Sequence, residues 1–183
     1  MKSAKPKKCR ACSQPFEPRR PMQVVCGLDC AILMAKHEAQ KKHQAKTRKM
    51  REAMNDKDRR FWIKKTQSAF NAYIRERDKN EPCISCGRHH TGQYHAGHYR
   101  PAGNNSALRF DERNCHRQCA PCNSHLSGNL IAYRQSLIRK IGQATVDYLD
   151  NHHEIKRWEV PELKSIHAEY KIKSKLLKSS SSC

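Results

Sequence analysis

The stretch CISCGRHHTGQYHAGHYRPAGNNSALRFDERNCHRQCAPCNSHLSGNL, residues 83–130, decides how the chain is read. It opens on Cys83-x2-Cys86 and closes on Cys119-x2-Cys122, two knuckle-type pairs with 32 residues between them. Four thiolates in two such pairs make a closed tetrahedral Zn2+ site, which is structural and not catalytic. Gly87 follows the first pair directly and suits the tight turn that a knuckle needs. Cys115 stands outside this pattern and reads as a lone buried thiol. Between the pairs, Gln93 to Tyr99 suits a short strand, Gly103-Asn104-Asn105 a loop, and Leu108-Arg109-Phe110 a second strand. Asn123 comes directly after Cys122, where a helix would start.

Working outward, residues 1–30 repeat the theme on a smaller scale. Cys9-x2-Cys12 and Cys26-x3-Cys30 enclose residues 13–25, where Pro15, Pro18 and Pro21 fit a loop and Val24-Val25 a short strand delivering Cys26. A module this small cannot bury enough surface to fold alone, so Zn2+ would supply its folding energy. From Ala31 to Arg60 there is no Gly or Pro, and helix formers dominate. Apolar residues thin out after Met34, which predicts a charged helical connector, with a break between Asn55 and Arg60. Residues 61–78 place Trp62, Thr66, Ala69, Phe70, Tyr73 and Ile74 on one helical face. Asn129–Leu149 and Val160–Leu177 read as further helices, with a turn at Gly142, and Ser179–Cys183 as a disordered tail.

The composition narrows the partners. A formal charge of +20 on 183 residues predicts attraction to a polyanion, with nucleic acid favoured. Hydrophobic residues are only 37%, so the ten cysteines are expected to help hold the fold. No apolar run approaches the ~20 residues of a membrane span. The basic N-terminus has no apolar segment behind it, so it does not read as a secretory signal, and the expected compartment is the reducing cytoplasm. There, paired cysteines are metal ligands before they are disulfides.

The chemistry rests on the order His98, Asn114, Asn123, with 15 residues in the first interval and eight in the second. That order resembles the HNH endonuclease motif. The resemblance narrows further on FNAYIRERD (70–78), PCISCG (82–87), AGHYR (96–100) and CNSHLSGNL (122–130). These strings, and the layout of cysteine module, charged helix and second module, resemble the NinG (Rap) recombination proteins of lambdoid bacteriophages. The resemblance covers nearly the whole chain and is strongest from about 60 to 160. It implies an α+β, small, zinc-stabilised protein. The expected parts are an N-terminal zinc-binding module (1–30), a charged helical connector (31–60), a ββα-metal, treble-clef-like nuclease domain with C-terminal helices (61–178), and the tail 179–183. It also implies a structure-specific endonuclease acting on branched recombination intermediates such as Holliday junctions, in the host cell cytoplasm where the gene is phage-borne.

On that reading His98 is the general base, Asn114 braces its loop, and a catalytic Mg2+ or Mn2+ binds at Asn123. One position departs from the motif: where related nucleases carry an acidic residue or a His just before the catalytic histidine, this chain has Gly97. His95 lies two positions earlier on the Gly97 side of a strand and is a candidate replacement ligand, as is His125 beyond Asn123. His116 is a neighbour of the knuckle. Arg100, Arg109, Arg113 and Arg117 are candidate phosphate contacts. Symmetric cutting of a junction would be served most simply by a homodimer joined through 31–78, and recombination proteins are expected partners. Every feature except the His98–Asn114–Asn123 spacing also fits a non-catalytic zinc-dependent nucleic-acid-binding protein. A sequence-specific nuclease would need a base-reading element that is not recognisable here.

Overall fold

A computed structural model of the chain describes residues 5–180, which divide into two compact units between residues 56 and 57. In the first, β1 (Lys7–Lys8) pairs antiparallel with β2 (Pro15–Phe16), and the turn between them carries Cys9 and Cys12. The strand expected at Val24-Val25 does not form. That segment is a bend, held to the hairpin by the Arg10 N–H donating to the Val24 carbonyl at 2.9 Å. Helix α1 follows (Leu28–Asp56); its 29 residues extend about 43 Å at 1.5 Å per residue, and none of them is buried. The cysteine module expected as 1–30 and most of the connector expected as 31–60 therefore lie in one unit.

The second unit opens with a two-residue break, where the Asp58 carboxylate accepts from Arg60 N–H at 2.8 Å and caps α2 (Arg59–Arg77). Helix α2 buries Thr66, Ala69, Phe70, Tyr73 and Ile74, five of the six residues of the periodic stripe. Its apolar face packs on α5 (Val160–Ser179), with Phe70 edge-on to Tyr170 at 4.9 Å and the Thr66 hydroxyl donating to the Leu163 carbonyl at 2.9 Å. Strand β3 (Tyr94–His98) pairs antiparallel with β4 (Cys115–Cys119), His98 lying opposite Cys115 and Tyr94 opposite Cys119. Side chains of a strand alternate between faces. One face of this hairpin sends Ala96 and Cys115 into the cluster of Phe70, Ile74, Phe110, Leu163 and Tyr170. The other is covered by α3 (Leu130–Ile141), whose Tyr133 joins α4 (Gln143–Asn151) in a second cluster with Tyr99, Leu108, Leu137, Val146 and Leu149. The hairpin thus lies between two pairs of helices.

Three expectations about this unit need correction. The second strand is not Leu108-Arg109-Phe110 but Cys115–Cys119; residues Ser106–Phe110 form a tight helical turn. In a strand, residues 108 and 110 would face the same way. In a turn of about three residues they diverge, so Leu108 enters one cluster and Phe110 the other. Nor does a long helix start at Asn123. Pro121–His125 is one wide helical turn, and Ser127, Gly128 and Asn129 all have positive φ before α3 begins. Helix α5 runs through Ser179, so the expected tail is helical at its start, and residues 181–183, with Cys183, lie outside the described residues. No described helix is long and apolar enough to cross a membrane.

Candidate active site

The geometry starts from two sets of four sulfurs. Cys9, Cys12, Cys26 and Cys30 form one and Cys83, Cys86, Cys119 and Cys122 the other, each with its sulfurs within 4.8 Å of one another. Tetrahedral Zn2+ with Zn–S bonds near 2.3 Å places sulfurs about 3.8 Å apart. The observed 3.7 Å between Cys12 and Cys26, 3.4 Å between Cys26 and Cys30, and 4.0 Å between Cys86 and Cys119 suit that ion. Each set could hold one zinc. Backbone N–H groups support the sulfurs: Cys26 donates to Cys9 Sγ at 3.3 Å and Cys119 to Cys83 Sγ at 3.4 Å. Gly87, at φ +67°, makes the turn after Cys86 in a conformation that side chains disfavour. Cys115 belongs to neither set and is fully buried.

His98 ends β3. Its Nε2 lies 2.9 Å from the Arg109 carbonyl oxygen, and its ring stacks on Phe70 with centroids 6.0 Å apart. A carbonyl only accepts, so Nε2 carries the hydrogen and Nδ1 keeps the lone pair. Burial holds the imidazole below its ordinary pKa, so the ring is neutral near pH 7. The nearest sulfur to Nδ1 is Cys115 at 3.9 Å; burial pushes that group far up, and it remains a thiol.

Asn114 is fully buried and tied on all sides. Its Oδ1 accepts from Arg100 N–H at 2.7 Å, and its amide donates to the carbonyls of Arg100 at 3.0 Å and Leu108 at 3.1 Å. The Asn114 carbonyl in turn accepts from Tyr99 N–H at 2.8 Å. One side chain thereby joins the residues after His98 to the turn whose Arg109 carbonyl holds the imidazole.

Gly97 explains itself by what a side chain would meet. A Cβ there would collide with Gln118 Oε1 and lie 3.1 Å from Asn123 Oδ1. Gln118 is fully buried, and its Nε2 donates to Ser85 Oγ at 2.6 Å and to the Gly128 carbonyl at 2.5 Å. These acceptors set the orientation of the amide, leaving Oε1 aimed at Gly97 as a buried acceptor with no partner. Two amide oxygens, Gln118 Oε1 and Asn123 Oδ1, thus converge where the motif would put the ligand at position 97.

The other histidines divide. His95 and Gly97 share a face, opposite that of His98, as alternation requires. His125 is exposed on the wide turn. Among the described residues only the two cysteine sets gather three or more His, Cys, Asp or Glu groups, so His95, His98 and His125 form no such cluster. His116 is buried with Nδ1 3.2 Å from Tyr133 Oη, while that hydroxyl donates to the Gly97 carbonyl at 2.9 Å. The hydroxyl hydrogen being spent, His116 Nδ1 is the donor. Burial lowers His116 to about 3.

The four arginines also separate. Arg117 is committed to the fold: its guanidinium donates to the carbonyls of Asp78, Lys79 and Glu81 and lies 3.6 Å over the Tyr94 ring. Arg113 pairs with Asp111 at 2.6 Å. Arg109 finds only neutral partners, Gln67 Oε1 at 3.3 Å and the Ala102 carbonyl at 3.0 Å. Arg100 keeps a buried Nε without a partner. Sequence reading passed over Gln118, which pairs with His95 in the hairpin and reaches Gly97 on the diagonal; the missing side chain at position 97 was the available signal. It also missed His90, whose Nε2 lies 3.2 Å from Cys86 Sγ.

The family profile described as Bacteriophage Lambda NinG protein matches residues 1–180. The chain is 43% identical over 197 residues to Protein ninG of Escherichia phage 933W, covering 98% of both. It is 52% identical over 126 residues to Protein ninG of Escherichia phage lambda, covering 69% of this chain and 62% of that protein, with the same figure of 52% over 126 residues for Salmonella phage P22. No solved structure matches. On a match that runs through both cysteine sets and the His98 hairpin, the chain belongs to the NinG family of lambdoid bacteriophages.

Proposed function

We propose that the chain is a metal-dependent DNA endonuclease of the HNH, ββα-metal type, cutting phosphodiester bonds in branched recombination intermediates such as Holliday junctions. The observation that carries the reading is the His98 imidazole, locked through Nε2 onto the Arg109 carbonyl and kept neutral by burial, with the lone pair on Nδ1, 3.9 Å from the Cys115 thiol, as the position that takes a proton. In the reaction His98 draws a proton from water aligned on the scissile phosphate. Asn114 keeps the imidazole in place by tying its two flanking loops. The donor set beside Gly97 fits a hard divalent cation, because two uncharged oxygens converge there and one is orphaned. Asn123 Oδ1 and Gln118 Oε1 would hold the ion. When bound, Mg2+ or Mn2+ would supply charge stabilisation at the phosphorane-like transition state and the leaving oxygen. His95 and His125 are kept as further ligands to be tested by substitution, since they lie outside any gathered set.

The test is cleavage of a labelled four-way junction and its matched linear duplex by the wild type and His98→Ala, with Mg2+, Mn2+ or EDTA. Both proteins are first checked for equal zinc content and equal junction binding. The expected result is metal-dependent cutting of the junction, lost in His98→Ala by a factor of roughly 10²–10⁴ while binding survives. Binding without cutting under every metal would overturn the reading in favour of a zinc-dependent DNA-binding protein. Light scattering with and without junction DNA tests the homodimer; a monomer in both removes it.

A further inference from the structure

Helix α2 carries a second stripe beside its buried one. Lys64, Gln67, Ser68, Asn71 and Arg75 recur at helical spacing and, with Arg109 from the Ser106–Phe110 turn, line an open groove of about 390 Å³. Three cations line it and no carboxylate does. Three other arginines of this unit are neutralised: Arg77 by Asp78 at 2.7 Å, Arg113 by Asp111 at 2.6 Å, Arg134 by Asp150 at 3.1 Å. Among the described residues, no carboxylate lies in ion-pair range of Lys64, Arg75 or Arg109. A half-buried guanidinium without an anion is an unfavourable arrangement that a ligand anion would relieve, and burial does push Arg109 below its ordinary pKa.

The groove is also ordered in a way that a merely solvated helix face is not. Gln67 Nε2 donates to Asn71 Oδ1 at 2.8 Å, and Arg109 donates to Gln67 Oε1 at 3.3 Å, so a chain of hydrogen bonds fixes three lining side chains. Arg109 links this chain to His98 directly, because its side chain faces the groove while its carbonyl holds Nε2 of the imidazole. From Lys64 to Arg75 the helix rises roughly 16 Å, long enough to run beside more than one phosphate, since a duplex strand carries one per about 3.4 Å of helix axis. That length suits a polynucleotide backbone rather than a single free phosphate.

We infer that the groove of Lys64, Asn71, Arg75 and Arg109 seats the sugar-phosphate backbone of a DNA strand and leads it past His98. The assignment deepens the nuclease reading and rests on it for the strand's destination, though not for its binding. Contacts here are to phosphate and carry no sequence information, which agrees with recognition of backbone layout.

The test is fluorescence anisotropy of a labelled four-way junction in EDTA over a salt series. The proteins are wild type, K64Q/R75Q, Asn71→Asp, and Arg139→Gln on α3 as a control with the same change in net charge as Asn71→Asp. The substituted residues line an open groove, and zinc content and far-ultraviolet circular dichroism are matched beforehand. K64Q/R75Q is expected to weaken binding roughly 10-fold at 0.15 M salt and to lower the log–log salt slope by about 2. Asn71→Asp, which puts a negative charge in the groove without removing a cation, is expected to weaken binding as well, and Arg139→Gln to leave the slope unchanged. Wild-type affinity and slope in both groove variants would overturn the assignment. A parallel reaction with Mn2+ keeps the two readings apart. Wild-type protein that binds through the groove but never cuts removes the nuclease alone. Equal cutting by wild type and K64Q/R75Q at equal KM removes the groove alone.

Discussion

The two cysteine sets have the same four donors and opposite surroundings. Around Cys9, Cys12, Cys26 and Cys30 there is almost nothing else: only Cys9 is buried in the described part of that unit, and α1 buries no residue in 29. Around Cys83, Cys86, Cys119 and Cys122 stand two apolar clusters and a hairpin between helix pairs. The difference teaches that one ligand pattern can do two jobs. In the first unit a metal would stand in for a core that 30 residues cannot build. In the second the core exists without it, and a metal would fix the ends of the segment that holds His98, Asn114 and Asn123.

The comparison can be broken most directly at the first set. Replacing Cys9 and Cys12 with Ser should release one zinc equivalent and melt residues 5–27, since structural zinc binding in such modules supplies about 10–16 kcal/mol. NMR spectra of the second unit should stay unchanged; a loss of its signals would show that the units are not independent. The converse substitution is Phe70→Ala, which empties a fully buried site touching His98, Phe110 and Tyr170. It should cost the second unit about 3–5 kcal/mol in urea unfolding while both zinc equivalents stay bound at low denaturant. Zinc loss there without denaturant would mean that the metal site depends on the core more than the core on the metal.

Acid should sharpen the contrast. His116 has a native pKa of about 3, against about 6.5 in the unfolded chain. The unfolded state therefore takes up the proton first as pH falls. This contribution is fully present above 6.5 and is lost between there and 3, by up to about 1.4 kcal/mol per pH unit. Zinc release adds to the acid sensitivity of any variant, so the readout is the difference between wild type and His116→Gln, whose stability should fall less steeply. Identical slopes would refute the role given to His116. Smallest of all, Gly97→Ala should cost about 1–3 kcal/mol, because Gln118 must move to admit a Cβ. It should also weaken Mn2+ binding measured by electron paramagnetic resonance, and unaltered Mn2+ affinity would separate Gly97 from any cation site.

Much of this was legible along the chain. The cysteine pairs, the α2 stripe from Thr66 to Ile74, the turn at Gly142 and the break before Arg59 are local patterns, and local patterns report spacing and periodicity. The second strand was misplaced because Leu108 and Phe110 are apolar at i and i+2, which a strand and a tight turn joining two clusters both satisfy. Arg113 and Arg117 read as phosphate contacts because charge is visible in sequence, whereas the Asp111 ion pair of Arg113 and the three backbone carbonyls that hold Arg117 are set by the fold.

The sequence by itself therefore determined the two sulfur sets and the helices, since each depends on residue type at short range. Only the tertiary structure decided which carbonyl sets the His98 tautomer, why position 97 is glycine, and which arginines lack an anion. Those depend on Arg109, Gln118 and Asp150 arriving from other segments, and no spacing along the chain records what a fold places at 3 Å.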